Sequence, residues 1–87
     1  MEPQEIRLRI RERLTSGELP RDHPQQTWVG YGTGQTCAVC GETIDREETE
    51  VEAQSADDKF RYYHGPCFQL LTEERFSRSR SGGPGLA

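Results

Sequence analysis

A small α+β domain is the fold class that this 87-residue sequence predicts, and three observations carry that reading. Near the start, Ile6, Ile10 and Leu14 recur at helical spacing. In the middle, apolar and polar residues alternate at strand spacing around Val51 and Ala53, and again around Phe60 and Tyr62. Framing those strands, all three cysteines and one of the two histidines fall into two pairs, Cys37-Ala-Val-Cys40 and His64-Gly-Pro-Cys67.

The pairs make a C-x2-C-x23-H-x2-C pattern. Side chains three positions apart can address one ion from a tight turn or from the first turn of a helix. Two such pairs supply four soft or borderline donors, and zinc prefers a tetrahedron of thiolate sulfur and imidazole nitrogen. The expectation is one structural Zn²⁺ held by Cys37, Cys40, His64 and Cys67. A redox role for the C-x-x-C pair requires a βαβ context that this sequence lacks. A Cys37–Cys40 disulfide would leave Cys67 unpaired. His23, beside Pro24 and without a paired spacing, reads as a solvated loop residue.

Composition makes the same demand. Hydrophobic residues form 31% of the chain and charged residues 30%, which allows one domain with a thin core. Such a domain needs a staple. Zinc binding of about 10–16 kcal/mol in finger peptides can exceed the whole stability of a small domain. No apolar run is long enough to span a membrane, and residues 1–5 lack the basic and apolar regions of a signal peptide. With thiols destined for metal, the expected compartment is the cytoplasm.

Taken in order, residues 1–17 are expected to form an amphipathic helix. Pro3 suits its start, Gly17 its stop, and Arg7, Arg9, Arg11 and Arg13 occupy its flanks and back. About three turns are marginal alone in water, so this helix should dock on the zinc module or, in the alternative reading, lay its arginine-rimmed apolar face into a partner's groove. Residues 18–36 read as a connector with little regular structure, broken by Pro20 and Pro24 and ending in Gly30, Gly32 and Gly34. No Gly-Lys-Ser/Thr follows those glycines, so they do not make a phosphate loop. Trp28, with Val29 and Tyr31, is expected to pack over the small core; an exposed Trp28 would be a binding anchor instead.

Residues 37–76 hold the zinc module. Cys37 to Gly41 form the knuckle, with Ile44 as an apolar contact. Val51 and Ala53 alternate with Glu50, Glu52 and Gln54, while Phe60 and Tyr62 alternate with Lys59, Arg61 and Tyr63. These are the two strands of a β-hairpin turned by Ser55-Ala56-Asp57-Asp58. Its charged residues are expected outside, where Glu–Lys/Arg pairs would cross the strands. Pro66 opens a C-terminal helix that places Cys67 in its first turn, where free N–H groups favour a thiolate. Phe68, Leu70, Leu71 and Phe76 continue its apolar pattern, with Glu73, Glu74 and Arg75 outward. Residues 77–87, an Arg-Ser alternation running into glycines, read as a disordered tail.

Knuckle, hairpin and helix, with ligands from the first and the last, resemble a treble-clef zinc finger. More narrowly, the cysteine and histidine spacing is similar to the first zinc module of a LIM domain, whose four matching positions, here Cys37, Cys40, His64 and Cys67, are metal ligands. The resemblance covers about the central third of the chain. A second LIM module would need a cysteine three residues past Cys67, where Leu70 stands, so the likeness is to a half-LIM with one zinc. The overall layout is also similar to that of small bacterial proteins. LIM modules act in protein–protein recognition, and the resemblance implies that role.

Function follows as an expectation: a non-enzymatic, zinc-stabilised module for protein–protein interaction. Four protein ligands leave no open metal position for water, and no nucleophile–base or paired-carboxylate constellation points to a small-molecule substrate. The alternative is a nucleic-acid-binding or transcription-associated finger using Arg7, Arg9, Arg11, Arg13 and the Arg75–Arg80 tail. Net charge is −4, and eight acids between Cys37 and Asp58 face only Arg46, which would repel a phosphate backbone from the module's centre.

Overall fold

The structure, a computed structural model, describes residues 2–81. Two helices flank a three-stranded antiparallel sheet in the order α1 (Pro3–Ser16), β1 (Gln26–Tyr31), β2 (Thr49–Gln54), β3 (Phe60–His64) and α2 (Gly65–Ser81). The strands lie in sequence order, with β2 central. No helix among the described residues is long and apolar enough to cross a membrane.

Helix α1 begins at Pro3 and ends at Gly17, whose N–H caps the Arg13 carbonyl. It packs on its own domain. Ile10 and Leu14 are fully buried in a core that also contains Leu19, Val39, Ile44, Val51, Ala53, Tyr63, Leu71 and the three cysteines. The four arginines beside that stripe have work inside the molecule. Arg7 bonds Glu73 and Glu74 of α2, and Arg11 donates Nε to Glu74 at 2.9 Å. Arg9 and Arg13 reach the knuckle instead, donating to the carbonyls of Cys40 at 3.0 Å and Ala38 at 2.8 Å.

The segment 18–36 is more regular than its prolines and glycines suggest. Gln26 to Tyr31 pair with β2, from Gln26 opposite Gln54 to Tyr31 opposite Thr49. The β-branched and aromatic residues Thr27, Trp28, Val29 and Tyr31 favour a pleated strand, and one interior glycine does not outweigh them. Trp28, Val29 and Tyr31 are nevertheless exposed, at 44, 70 and 82%. Trp28 lies opposite Glu52, on the face turned away from buried Val51, and Val29 and Tyr31 lie on an edge strand outside the core. Gly32 then lets the chain pass against the Asp45 carbonyl, where any β-carbon would collide.

In the hairpin, β2 and its turn are as expected, but the faces of β3 are exchanged. Val51 lies opposite Tyr63 and Ala53 opposite Arg61, so Tyr63 points into the core and is 1% exposed. Phe60 and Tyr62 instead share the outer face with Glu52. The sequence Phe-Arg-Tyr-Tyr-His has an aromatic residue on either alternation, and a one-residue change of register moves every side chain to the other face. Arg61, now on the inner face, serves the turn by donating to Ser55 Oγ and lying 3.8 Å from Asp57. The expected cross-strand ion pairs give way to that arrangement.

Helix α2 also departs from its simple stripe. Leu71 is buried as expected and Tyr63 stacks near Phe68, with ring centroids 5.3 Å apart. Phe76 is exposed, whereas Glu74 and Arg75, expected outside, are buried. Docking of α1 turns Glu74 into the shared acceptor of Arg7 and Arg11, and Arg75 caps the Pro20 carbonyl through Nε and Nη2. The guanidinium of Arg11 first, then that of Arg7, holds the Glu74 carboxyl below the usual glutamate range against the effect of burial. The helix continues through Ser81, so residues 77–81 are helical and not a tail. Residues 82–87, the rest of the expected disordered segment, lie outside the described residues.

Leu14→Ala should destabilise the metal-loaded protein by about 2–5 kcal/mol, the usual cost of truncating a fully buried leucine. Denaturant unfolding measures it.

Candidate metal centre

The structure brings Cys37, Cys40, His64 and Cys67 together. Their ligand atoms all lie within 4.8 Å of one another, and the four can hold one metal ion. The three cysteines are free thiols and buried. His23, the other histidine, is exposed in the loop before β1.

Three pieces of local structure place the four donors. Residues 34–44 fold back on themselves: Ile44 donates to Gln35, Gly34 to Ile44 and Cys37 to the Glu42 carbonyl, with a bridge between Thr36 and Thr43. At the tip, the Gly41 N–H bonds the Cys37 carbonyl, and Gly41 takes a φ of +80° that favours glycine. This knuckle is tied to the sheet by Ala38 N–H donating to the Tyr62 carbonyl at 2.8 Å. His64 ends β3, and Cys67 is the third residue of α2.

The distances suit a tetrahedral ion. Nδ1 of His64 is 3.3 Å from Cys40 Sγ and 4.0 Å from Cys67 Sγ. Metal bonds of 2.3 Å to sulfur and about 2.0 Å to nitrogen would set that separation near ~3.5 Å in a regular tetrahedron. Nδ1 is therefore the nitrogen that faces the ion.

Nε2 points the other way, 3.2 Å from the Thr43 carbonyl and 3.2 Å from Glu48 Oε1. Both partners are acceptors, so the ring proton belongs on Nε2 and the lone pair on Nδ1. A carboxylate behind a metal-bound imidazole fixes the ring and strengthens it as a ligand. Glu48 is itself held by the Asp45 N–H at 2.8 Å, which with His64 keeps its carboxyl below the usual glutamate range against partial burial. Sequence reasoning placed Glu48 in a solvated charge run. No spacing rule marks it, because only the Asp45–Glu48 turn carries it to the imidazole.

The sulfurs are unequal. Hydrogen bonding from Cys67, opposed by burial and reinforced by the N–H groups of Cys40, His64 and Val39, pulls the Cys37 thiol down to about 4. The His64 N–H contact to Cys37 Sγ is 3.4 Å. Its bond to Cys37 followed by burial pushes the Cys67 thiol up, and burial pushes Cys40 up. Burial lowers the His64 pKa, but Cys37 and Glu48 outweigh it and leave a net rise. One thiolate is thus favoured by the fold, and metal binding displaces the remaining protons.

No protein-family model, curated protein or solved structure matches this chain.

Glu48→Ala should weaken metal binding by about tenfold, the lower end for an outer partner of a metal-bound histidine, while Glu48→Gln, which keeps an acceptor oxygen, should lose less. Competition against a chromophoric chelator reads both.

Proposed function

We propose that the protein is a non-enzymatic interaction module built on one structural Zn²⁺, which binds another protein through its sheet. The observation that carries this reading is the closed donor set. Three thiols and one imidazole nitrogen, all from the chain, lie within 4.8 Å of one another and would fill a tetrahedral ion's positions, leaving none for a reacting water. Sulfur-rich tetrahedral sites select zinc over magnesium, calcium or manganese, which take oxygen donors. A reducing compartment such as the cytoplasm would keep the three buried thiols available to the ion.

The order of knuckle, hairpin and ligand-bearing helix supports a treble-clef-like assignment with a half-LIM ligand set. The sheet supplies the candidate surface. Strand β1, Gln-Thr-Trp-Val-Gly-Tyr, is an uncharged edge strand exposed along its whole length. Proteins ordinarily guard such edges with charge, proline or a covering element, because the unpaired backbone groups template another strand. An unguarded edge bearing exposed aromatic residues suits strand addition by a partner.

The same geometry weighs against the nucleic-acid alternative. Arg7, Arg9, Arg11 and Arg13 each make a hydrogen bond within the domain, so phosphate contacts would have to compete with helix docking. Titrating the zinc-loaded protein with short duplex DNA and single-stranded RNA at low salt should leave the amide resonances of α1 unmoved. Saturable shifts there, weakening as salt rises, would contradict the proposal and favour a nucleic-acid finger.

A further inference from the structure

On the outer face of the sheet, the strand register sets three side chains in a row. Trp28 of β1 lies opposite Glu52 of β2, and Glu52 lies opposite Tyr62 of β3. Phe60, two residues before Tyr62, completes the group from the diagonal position. Its ring centroid is 6.1 Å from that of Trp28 and the planes are inclined by 38°. Towards His64 this face is covered: Glu50 is 7% exposed and accepts bonds from the Thr33 N–H and hydroxyl. At the other end it is open, with Trp28 and Phe60 44 and 48% exposed. Three aromatic residues therefore neighbour a half-buried carboxylate at the open end of this face.

We infer that this aromatic and acidic end of the sheet receives an arginine side chain from an extended, basic segment of a partner protein. The inference rests on the interaction-module reading and names the chemistry of the partner.

Charge complementarity selects a cation. Glu52 accepts one long bond, from Tyr62 Oη at 3.4 Å, and a carboxylate can accept about four. The hairpin's Arg61 is opposite Ala53 on the other face and bonded to Ser55, so it does not neutralise this one. Aromatic faces attract cations through their quadrupole. A guanidinium fits best, because its plane stacks on a ring while its fork addresses a carboxylate, which an ammonium cannot do in the same geometry.

Strand β1 supplies the means of delivery. A strand added along its free edge would lie about 4.8 Å away, with alternate side chains on each face. Its residue opposite Trp28 would share the aromatic face and sit about two strand spacings, or roughly 10 Å, from β2. An arginine extended over the Trp28 ring spans most of that gap to Glu52. A shorter or apolar side chain would leave the carboxylate unanswered.

The test uses the full, zinc-loaded chain and an acetylated, amidated peptide, Thr-Thr-Ser-Arg-Ser-Thr-Thr, with counterparts carrying citrulline, lysine or leucine at the centre. Trp28, the sole tryptophan, reports binding by fluorescence, and the amide spectrum reports the surface and the integrity of the fold. The arginine peptide should give a saturable change that weakens with salt and moves β1 and Glu52. Citrulline, planar but uncharged, should bind about tenfold or more weakly, as expected on losing a charge pair and a cation–π contact. Glu52→Gln should lower arginine-peptide affinity without altering the rest of the spectrum. Absence of saturation, equal binding of the citrulline or lysine peptide, or unchanged affinity in Glu52→Gln would overturn the inference. A zinc-loaded protein that ignores every peptide and also ignores nucleic acid would end the arginine assignment alone and leave the module reading standing.

Discussion

Convergence of four donor atoms on one point is the constraint on which the rest of this structure depends. The donors come from a loop and, much later in the chain, from a strand end and the helix start that follows it, yet their ligand atoms lie within 4.8 Å of one another. An ion at their centre would join the knuckle to β3 and α2. The core is continuous with that point: Val39 sits between Cys37 and Cys40, and Leu71 lies one helical turn beyond Cys67. With so little apolar residue content, the domain cannot separate its metal chemistry from its packing.

Helix α1 extends this dependence to the other end of the chain. Its apolar stripe enters the core, and two of its arginines end on knuckle carbonyls, at Ala38 and Cys40. Two further arginines hold Glu74 and Glu73 on α2, the helix that carries Cys67. The helix is therefore fastened to two of the three ligand-bearing elements, the knuckle and α2. Its charge, which in sequence suggests an external polyanion, is complemented internally by carboxylates and carbonyl oxygens.

Much of this was legible in the sequence, because the strongest signals are local. Two ligand pairs at three-residue spacing, a four-residue apolar repeat and a polar turn between alternating strands each predict structure without tertiary information. Three features were not legible. Strand β1 forms because β2 offers an edge, and Pro24 and the glycines around Tyr31 obscure its propensity. The inward turn of Tyr63 is decided by register, since Tyr62 and Tyr63 are equally apolar neighbours. Burial of Glu74 and Arg75 follows from where α1 lands, which their own helix does not encode. Of the site, the four candidate ligands were legible and Glu48 was not, because its contact with His64 depends on a turn.

Exposed strand β1 and the buried metal centre divide the molecule into a surface and its support, both anchored on β2. The central claim is that metal and fold are one cooperative unit. Amide hydrogen exchange of Ile10 and Leu14 in α1, compared between the zinc-loaded protein and the protein after chelation, tests it most directly, because neither residue is a ligand. The account predicts that protection at both is lost when the metal is removed and regained on adding zinc. Protection that survives chelation would show that α1, α2 and the sheet hold together on hydrophobic packing alone, and would contradict the account.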